Sequence, residues 1–394
     1  MPDFAVIKKK ISPYNKKIFV DGDKSISIRW ALLASQAIGK SVASNLPNSE
    51  DINSTIDCLK KLGIKIIKKN NVCEIFGNGL NGFNYKKNII INAGNSGTCG
   101  RLILGLLVAS KNKIKLEGDK SLSSRDFSRV TSPLERFGAK FFPLNRKNLP
   151  ISILGSNFTR PINYLENIGS AQCKSSIMLA ALNAPGKTLI KAKKSRNHTE
   201  LLFKNLKIPI KVKKEKNYDF IEIEGKKNFK SFDYKIPGDI SSSSFFIVLT
   251  LISKNSRLTI KNVNVNSTRI GSINILNKMG AGIKIINKRK YKGEIIGDIF
   301  VKSKKNLKSI NCPSSLNSSA IDEFLIIFLV AAKANGISHF KNLKELNKKE
   351  SPRLNYAIKF LKMIGVKIDR KKDNIKIYGN PELSLNGNYL INNF

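Results

Sequence analysis

Apolar and polar positions fall into a recurring order along the chain: an amphipathic stretch at helical spacing, a glycine, then a short run of β-branched residues. The order reads LKKLGIKI at 59–66, LERFGAKF at 134–141, LNKMGAGIKI at 276–285 and LKMIGVKI at 361–368, with a degenerate copy, LFKNLKIPIKV, at 202–212. Gly63, Gly138, Gly280 and Gly365 suit the left-handed residue that closes a helix, and the run after each predicts a strand. A second series interleaves with the first, each member a polar or glycine-containing cluster running into an apolar helix: GDKSIS near 25, NSGTCGR near 97, SAQCKSS near 171, PGDISSSS near 240 and IDEF near 322. Its steps are about 72, 74, 69 and 82 residues. Strand-like runs such as NIIINA (88–93) and RLTIKNVNV (257–265) lie between, so each unit holds two helices and several strands. The period puts a sixth polar start at about 391 to 404, where the sequence given stops at Phe394, and the expectation is an incomplete sixth unit.

Length makes this a two-domain chain, since 394 residues exceed what one core usually holds. The longest apolar run, 324–332, is about half a membrane span, and the charged N-terminus lacks the hydrophobic run of a secretory signal, so the expectation is a soluble, cytoplasmic protein without a membrane partner. Five cysteines (Cys58, Cys73, Cys99, Cys173, Cys312) have neither disulfide-framework nor metal-ligand spacing and read as structural thiols. The formal charge of +42 points first to nucleic acid. Lysines spread evenly beside abundant Asn and Ile, with no aromatic-interleaved basic patch, read instead as compositional drift, and no nucleic-acid partner is expected. The charge still attracts small anions, an effect that salt screens.

Small anions are also what the helix starts suit. The first turn of a helix offers unpaired N–H groups and a partial positive charge, and lysine, arginine and serine placed there complete an anion cradle. Ser27, Ser170, Arg29 and Arg101 can each also be read as a plain cap or a solvated charge. Arginine use adds to the case: only 13 of the 70 basic residues are arginine, and Arg29, Arg101, Arg125, Arg129, Arg196 and Arg353 all fall in polar clusters where a planar fork matters.

The ordered motifs GDKSISIR, NAGNSGTCGR, GDKSLSSRDFSRVTSPLERFGA, SAQCKSS, SRNHTE, PGDISSSSFF, IDEF and KKESPRL resemble the EPSP synthase (3-phosphoshikimate 1-carboxyvinyltransferase) branch of the enolpyruvyl transferase family, from about residue 10 to the end. GDKSIS and KES-R favour that branch over the UDP-N-acetylglucosamine enolpyruvyl transferases. The resemblance implies an α/β (α+β) fold of two similar domains built from βαβαββ units, an inside-out α/β barrel. One domain would hold residues 1–22 and 238–394, the other 23–237. It implies transfer of the enolpyruvyl group of phosphoenolpyruvate to the 5-hydroxyl of shikimate 3-phosphate, in chorismate and aromatic amino acid biosynthesis, by a monomer needing no cofactor or metal.

Carried over residue by residue, the resemblance makes Lys24 the lysine touching both substrates, with Ser25 and Arg29 binding shikimate 3-phosphate. Asn95, Gly97 and Thr98 line the phosphoenolpyruvate pocket, the site at which glyphosate acts, and Arg125 holds that substrate. Ser170, Ala171, Gln172 and Arg196 hold shikimate 3-phosphate; Asp322 is the base for its hydroxyl. Glu350 transfers the proton, Lys349 lies beside the substrates, and Arg353 grips the enol phosphate. A non-catalytic anion-binding protein on the same fold is the alternative from another class. Three positions depart from the family: Ile28 stands for a histidine, Asn347 for an arginine, and Pro352 for an aspartate, with Ser351 expected as N-cap and Pro352 as first helical residue. The resemblance also implies an Asp-His-Arg motif and a further lysine beyond Phe394. Without them, contacts worth about 1.5–3 kcal/mol each would be lost at phosphoenolpyruvate, so this chain is expected to be weak or inactive.

Overall fold

The computed structural model describes residues 11–348 and 351–384, with helices and strands in the alternation the pattern requires. The helices are α1 (Lys24–Gln36), α2 (Glu50–Lys61), α3 (Gly97–Leu106), α4 (Lys120–Ser123), α5 (Ser128–Glu135), α6 (Ala171–Ala181), α7 (His198–Asn205), α8 (Ile240–Ile252), α9 (Gly271–Lys278), α10 (Phe324–Ala332) and α11 (Arg353–Met363). The second series of starts thus opens α1, α3, α6, α8 and α10. Gly63, Gly138, Gly280 and Gly365 have φ of 84°, 106°, 88° and 82°, and in the degenerate copy Lys207 holds the same left-handed position at φ 56°.

Four sheets share one plan, in which a parallel pair is extended by two antiparallel strands. Strands β1 (Asn15–Ile18), β14 (Arg257–Asn264), β16 (Glu294–Lys302) and β15 (Lys284–Tyr291) form the first, and β13 (Tyr234–Lys235), β2 (Ile38–Ser44), β4 (Val72–Asn78) and β3 (Lys65–Lys69) the second. The third is β5 (Ile90–Asn92), β6 (Ile114–Glu117), β8 (Ile151–Leu154) and β7 (Lys140–Phe142); the fourth is β9 (Asn163–Glu166), β10 (Lys187–Lys193), β12 (Tyr218–Glu224) and β11 (Ile210–Lys214). A fifth, three-stranded sheet has β17 (Gly336–Phe340), β19 (Asn374–Gly379) and β18 (Ile368–Lys371) in that order. Parallel bridges from Lys308 to Asn335, just before β17, and from Asn311 to His339 of β17 supply the edge that a fourth strand occupies elsewhere.

Apolar burial divides into two cores, one running from Ile26 to Ile236 and the other from Ile240 to Ile377. The first body holds three sheets around α1, α3 and α6. From Ile26 onward every residue of α1 is buried, as expected of a helix enclosed on all sides, whereas β10 alternates exposed and buried along its length. In this body α1, α3 and α6 are inside and the sheets outside. The chain passes between bodies twice, because β1 pairs with β14 of the second body while β13 pairs with β2 of the first. At the crossing the two segments clamp each other: Asp23 N–H donates to Pro237 O at 2.8 Å, Asp239 N–H to Asp21 O at 2.9 Å, and Gly22 bridges Gly238. A Cβ on Gly22 would sit 2.1 Å from Asn45 O, so only glycine fits there. Among the described residues no helix is long and apolar enough to cross a membrane.

Candidate active site

The start of α1 is built into the crossing. Asp23 caps it by accepting from Ile26 N–H at 2.9 Å; Asp239 caps α8, accepting from Ser241 N–H at 2.7 Å and from Lys24 N–H at 3.0 Å. Arg269, buried, lies 3.7 Å from Asp23 and 3.6 Å from Asp239 and donates to Ser241 Oγ at 2.8 Å, while the Ser241 hydroxyl donates to Glu323. Burial works to raise the Asp23 pKa, but Arg269 and His198 carry it below the usual carboxylate value; burial and Asp23 push that of Asp239 up. Lys24 extends outward, its Nζ 3.0 Å from Asp51 Oδ2.

Arg29 lies one turn into α1 and is buried. Its Nε donates to Thr199 Oγ1 at 2.9 Å, Nη1 to Ser25 O at 2.9 Å and Nη2 to Ser175 Oγ at 3.1 Å. Burial lowers its pKa to about 10 despite nearby Glu200, which pairs with the fully buried Lys174 at 2.6 Å.

Serines cap the next two starts. Ser96 Oγ accepts from Cys99 N–H at the start of α3, and Ser170 Oγ from Cys173 N–H at the start of α6, both at 3.2 Å. Side chains join the two helices: Arg101 Nη1 donates to Gln172 Oε1 at 2.7 Å, and Gln172 Nε2 to Thr98 Oγ1 at 3.0 Å. Asn95 and Gly97 precede and open α3, Ala171 opens α6, and an ideal Cβ on Gly97 would lie 2.6 Å from Arg125 Nη1 and 3.0 Å from Arg101 Nη1. These starts carry neutral caps, whereas α1, α8 and α10 begin at the acids Asp23, Asp239 and Glu323. The starts of α3 and α6 therefore lack a carboxylate at the cap, whereas at α1 and α8 an aspartate already accepts from the first turn.

Opposite charges meet between the bodies. Arg196 of the first body pairs with Asp322 of the second, and Asp322 also accepts from Arg353 Nη1 at 3.0 Å. Arg129 reaches Glu345 at 3.9 Å. Lys349 and Glu350 lie outside the described residues. Helix α11 starts one residue later than expected, at Arg353 with Pro352 as N-cap, because Asn347 Oδ1 accepts from Leu354 N–H at 3.1 Å and caps the first turn in place of Ser351. The departure at Asn347 thus has a structural use.

A model of the family "EPSP synthase (3-phosphoshikimate 1-carboxyvinyltransferase)" matches residues 8–388. The chain belongs to the EPSP synthase family. It is 40% identical over 376 residues to the 3-phosphoshikimate 1-carboxyvinyltransferase of Petrotoga mobilis, covering 94% of this chain and 85% of that protein. It is 38% identical over 376 residues to the Bacillus pumilus protein of the same name, covering 95% and 86%. The EPSP synthase structure from Acinetobacter baumannii superposes with a TM-score of 0.82 at 34% identity, covering 93% of this chain and 82% of that one. As an EPSP synthase family member the chain is an enolpyruvyl transferase of the shikimate pathway, serving aromatic amino acid biosynthesis.

In this family member, sequence reasoning missed Arg269, Asp51, His198 and Glu294. Arg269 met the same criterion as the six arginines singled out, a fork retained in the polar cluster NSTRIG, and could have been found by it. Nothing local marks Asp51 as the partner of Lys24, or Glu294 as that of His198, since both pairs are made by folding. Ile28, where the family usually has histidine, is wholly buried in the first core. The five cysteines are free and buried, as expected of structural thiols.

Proposed function

We propose that this chain transfers the enolpyruvyl group of phosphoenolpyruvate to the 5-hydroxyl of shikimate 3-phosphate, with residues 1–22 and 238–394 as one domain and 23–237 as the other. The observation that carries the reading is the Arg196–Asp322–Arg353 bridge, in which an arginine from each body converges on one carboxylate. A site for two phosphorylated substrates and a base needs that charge layout. When phosphates take the two guanidinium groups, Asp322 is left to accept the proton of the 5-hydroxyl as its oxygen bonds to C2 of phosphoenolpyruvate. Glu350 and Lys349 enter on the KKESPRL motif alone. Glu350 gives a proton to the methylene carbon and takes one back as phosphate leaves, and Lys349 adds positive charge beside the substrates. Arg125 and Arg353 hold the leaving phosphate; Asn95, Gly97 and Thr98 line its pocket. Lys24 touches both substrates and counts with Asp322 and Glu350 among the catalytic residues, and Ser25, Arg29, Ser170, Ala171, Gln172 and Arg196 hold shikimate 3-phosphate. The enzyme acts as a cytoplasmic monomer.

The test is phosphate release with both substrates. Asp322→Asn is expected to lower kcat by about 10²–10⁴-fold while leaving the urea midpoint nearly unchanged. Unchanged turnover, or a loss of turnover no larger than the loss of folded protein, refutes the role of Asp322. Binding of both substrates with no phosphate release in the parent chain favours a non-catalytic anion-binding protein on this fold.

A further inference from the structure

Asn197 and His198 are tied to the second body by polar contacts that the proposed reaction does not use. His198 Nδ1 lies 2.6 Å from Glu294 Oε1, and both side chains are fully buried. Glu294 Oε2 accepts from Asn264 Nδ2 at 3.1 Å and Asn266 Nδ2 at 2.9 Å. The same Asn266 amide nitrogen donates to Asn197 Oδ1 at 2.8 Å, while Asn266 Oδ1 accepts from Thr268 N–H at 2.9 Å, so every polar atom of that amide is used. Burial would raise the Glu294 pKa, yet His198 and the two asparagines hold it below the ordinary value.

A carboxylate taken out of water is costly, and an apolar pair would cement the two bodies as well. What the polar arrangement adds is direction. On the C-terminal side, Thr199 accepts from Arg29 and Glu200 pairs with Lys174, which anchors α7 to the first body. On the N-terminal side, Asn197 and His198 are held by Asn266 and Glu294 of the second. Arg196 is the next residue, and its guanidinium is the one that crosses to Asp322. The backbone beneath Arg196 is therefore fixed from both bodies at once.

We infer that Glu294, acting through His198 and the Asn266–Asn197 hydrogen bond, is a positioning residue for Arg196 in recognition of the substrate's 3-phosphate. This rests on the function proposed above, with Arg196 at that phosphate. The test is calorimetric binding of shikimate 3-phosphate and of shikimate, which lacks the phosphate, to the parent chain, Glu294→Gln, Asn197→Ala, Arg196→Ala and the Arg196→Ala/Glu294→Gln double variant. Glu294→Gln is expected to weaken shikimate 3-phosphate about tenfold and shikimate less than about twofold. In the Arg196→Ala background it should add less than about twofold, because the group it positions is gone. Equal weakening of both ligands, or a full effect of Glu294→Gln without Arg196, overturns the inference and leaves Glu294 as structural glue. If Glu294→Gln does not fold, Asn197→Ala makes the same comparison from the loop side, with the same outcomes. A parent chain that fails to bind shikimate 3-phosphate overturns the proposed function itself; binding without the coupling overturns only the role of Glu294.

Discussion

Helices α1 and α8 are one device used in two bodies. Each follows a chain crossing, each is 13 residues long, and each is capped by an aspartate, Asp23 or Asp239. Counted from the cap, Trp30 corresponds to Phe246 and Leu33 to Leu249. Trp30 and Leu33 are wholly buried, whereas Phe246 and Leu249 are 43% and 39% exposed, and Phe245, which corresponds by the same count to the buried Arg29, is 64% exposed. In the first body α3 packs on both α1 and α6, and three sheets close around the trio. Among the described residues of the second body, the central helices are α8 and α10, and the flank carrying Phe245 and Phe246 faces outward. The amino-acid choice in α8 is that of an enclosed helix; the enclosure is what differs. The caps divide along the same line, since the serine-capped starts, α3 and α6, both belong to the enclosed body.

The sharpest way to break the comparison is at the arginine both caps share. Arg269→Met leaves Asp23 and Asp239 buried together without a cation and is expected to cost about 3–5 kcal/mol at neutral pH. The pH dependence has a definite sign. Asp23 is held below its ordinary value of 3.8, so the stability it contributes is present above that pH and lost as pH falls through its lower folded value. Asp239 is raised and works in the opposite sense, which makes its protonation in acid a relief for the variant. The gap between parent and variant in urea unfolding should therefore narrow from pH 7 towards pH 4. A gap of equal size at both pH values would mean that Arg269 acts by packing and not by charge.

Next in size is the contrast between the helices themselves. Trp30→Ala removes an enclosed side chain and is expected to cost about 3–5 kcal/mol; Phe246→Ala should cost below about 1 kcal/mol, because its ring is already partly in water. Similar losses at the two positions in denaturant titrations would show that the outer flank of α8 is covered in solution.

The features that made this architecture legible in the sequence are local ones. Helix-closing glycines and polar helix starts each lie within a few residues of what they control, so their period gave the units and their starts to within a residue or two. Lys207 made one copy degenerate, because a lysine in the left-handed region carries no signal of its own. Asn347 moved a cap by reaching seven residues along the chain to Leu354. The pairs Lys24–Asp51 and His198–Glu294 and the Arg269 cluster join residues 27 to 246 positions apart, and only the two bodies, once folded, bring them together. In the site, residue types were legible from the motifs, whereas their pairing was not: Gln172 between Arg101 and Thr98, or Arg29 spread over Ser25, Ser175 and Thr199, follows from how α3, α6 and α7 meet α1.

The smallest expected effect sharpens the functional side of the comparison. The second body fills its helix starts with Ile240 and Phe324, both wholly buried, while α3 of the first opens at Gly97. A methyl group at Gly97 meets only the far ends of side chains, Arg125 Nη1 at 2.6 Å, Arg101 Nη1 at 3.0 Å and Leu122 Cδ1 at 3.6 Å. These can swing aside, so Gly97→Ala should leave the urea midpoint unchanged or slightly raised, alanine being the better helix former. Of the two guanidinium groups that swing, that of Arg125 is proposed to hold phosphoenolpyruvate, so KM for phosphoenolpyruvate should rise about tenfold with KM for shikimate 3-phosphate little changed. The inhibition constant for glyphosate should rise with it. If KM for phosphoenolpyruvate and the inhibition constant both stay at the parent values, the close approach at the start of α3 is a packing feature and the anion pocket lies elsewhere.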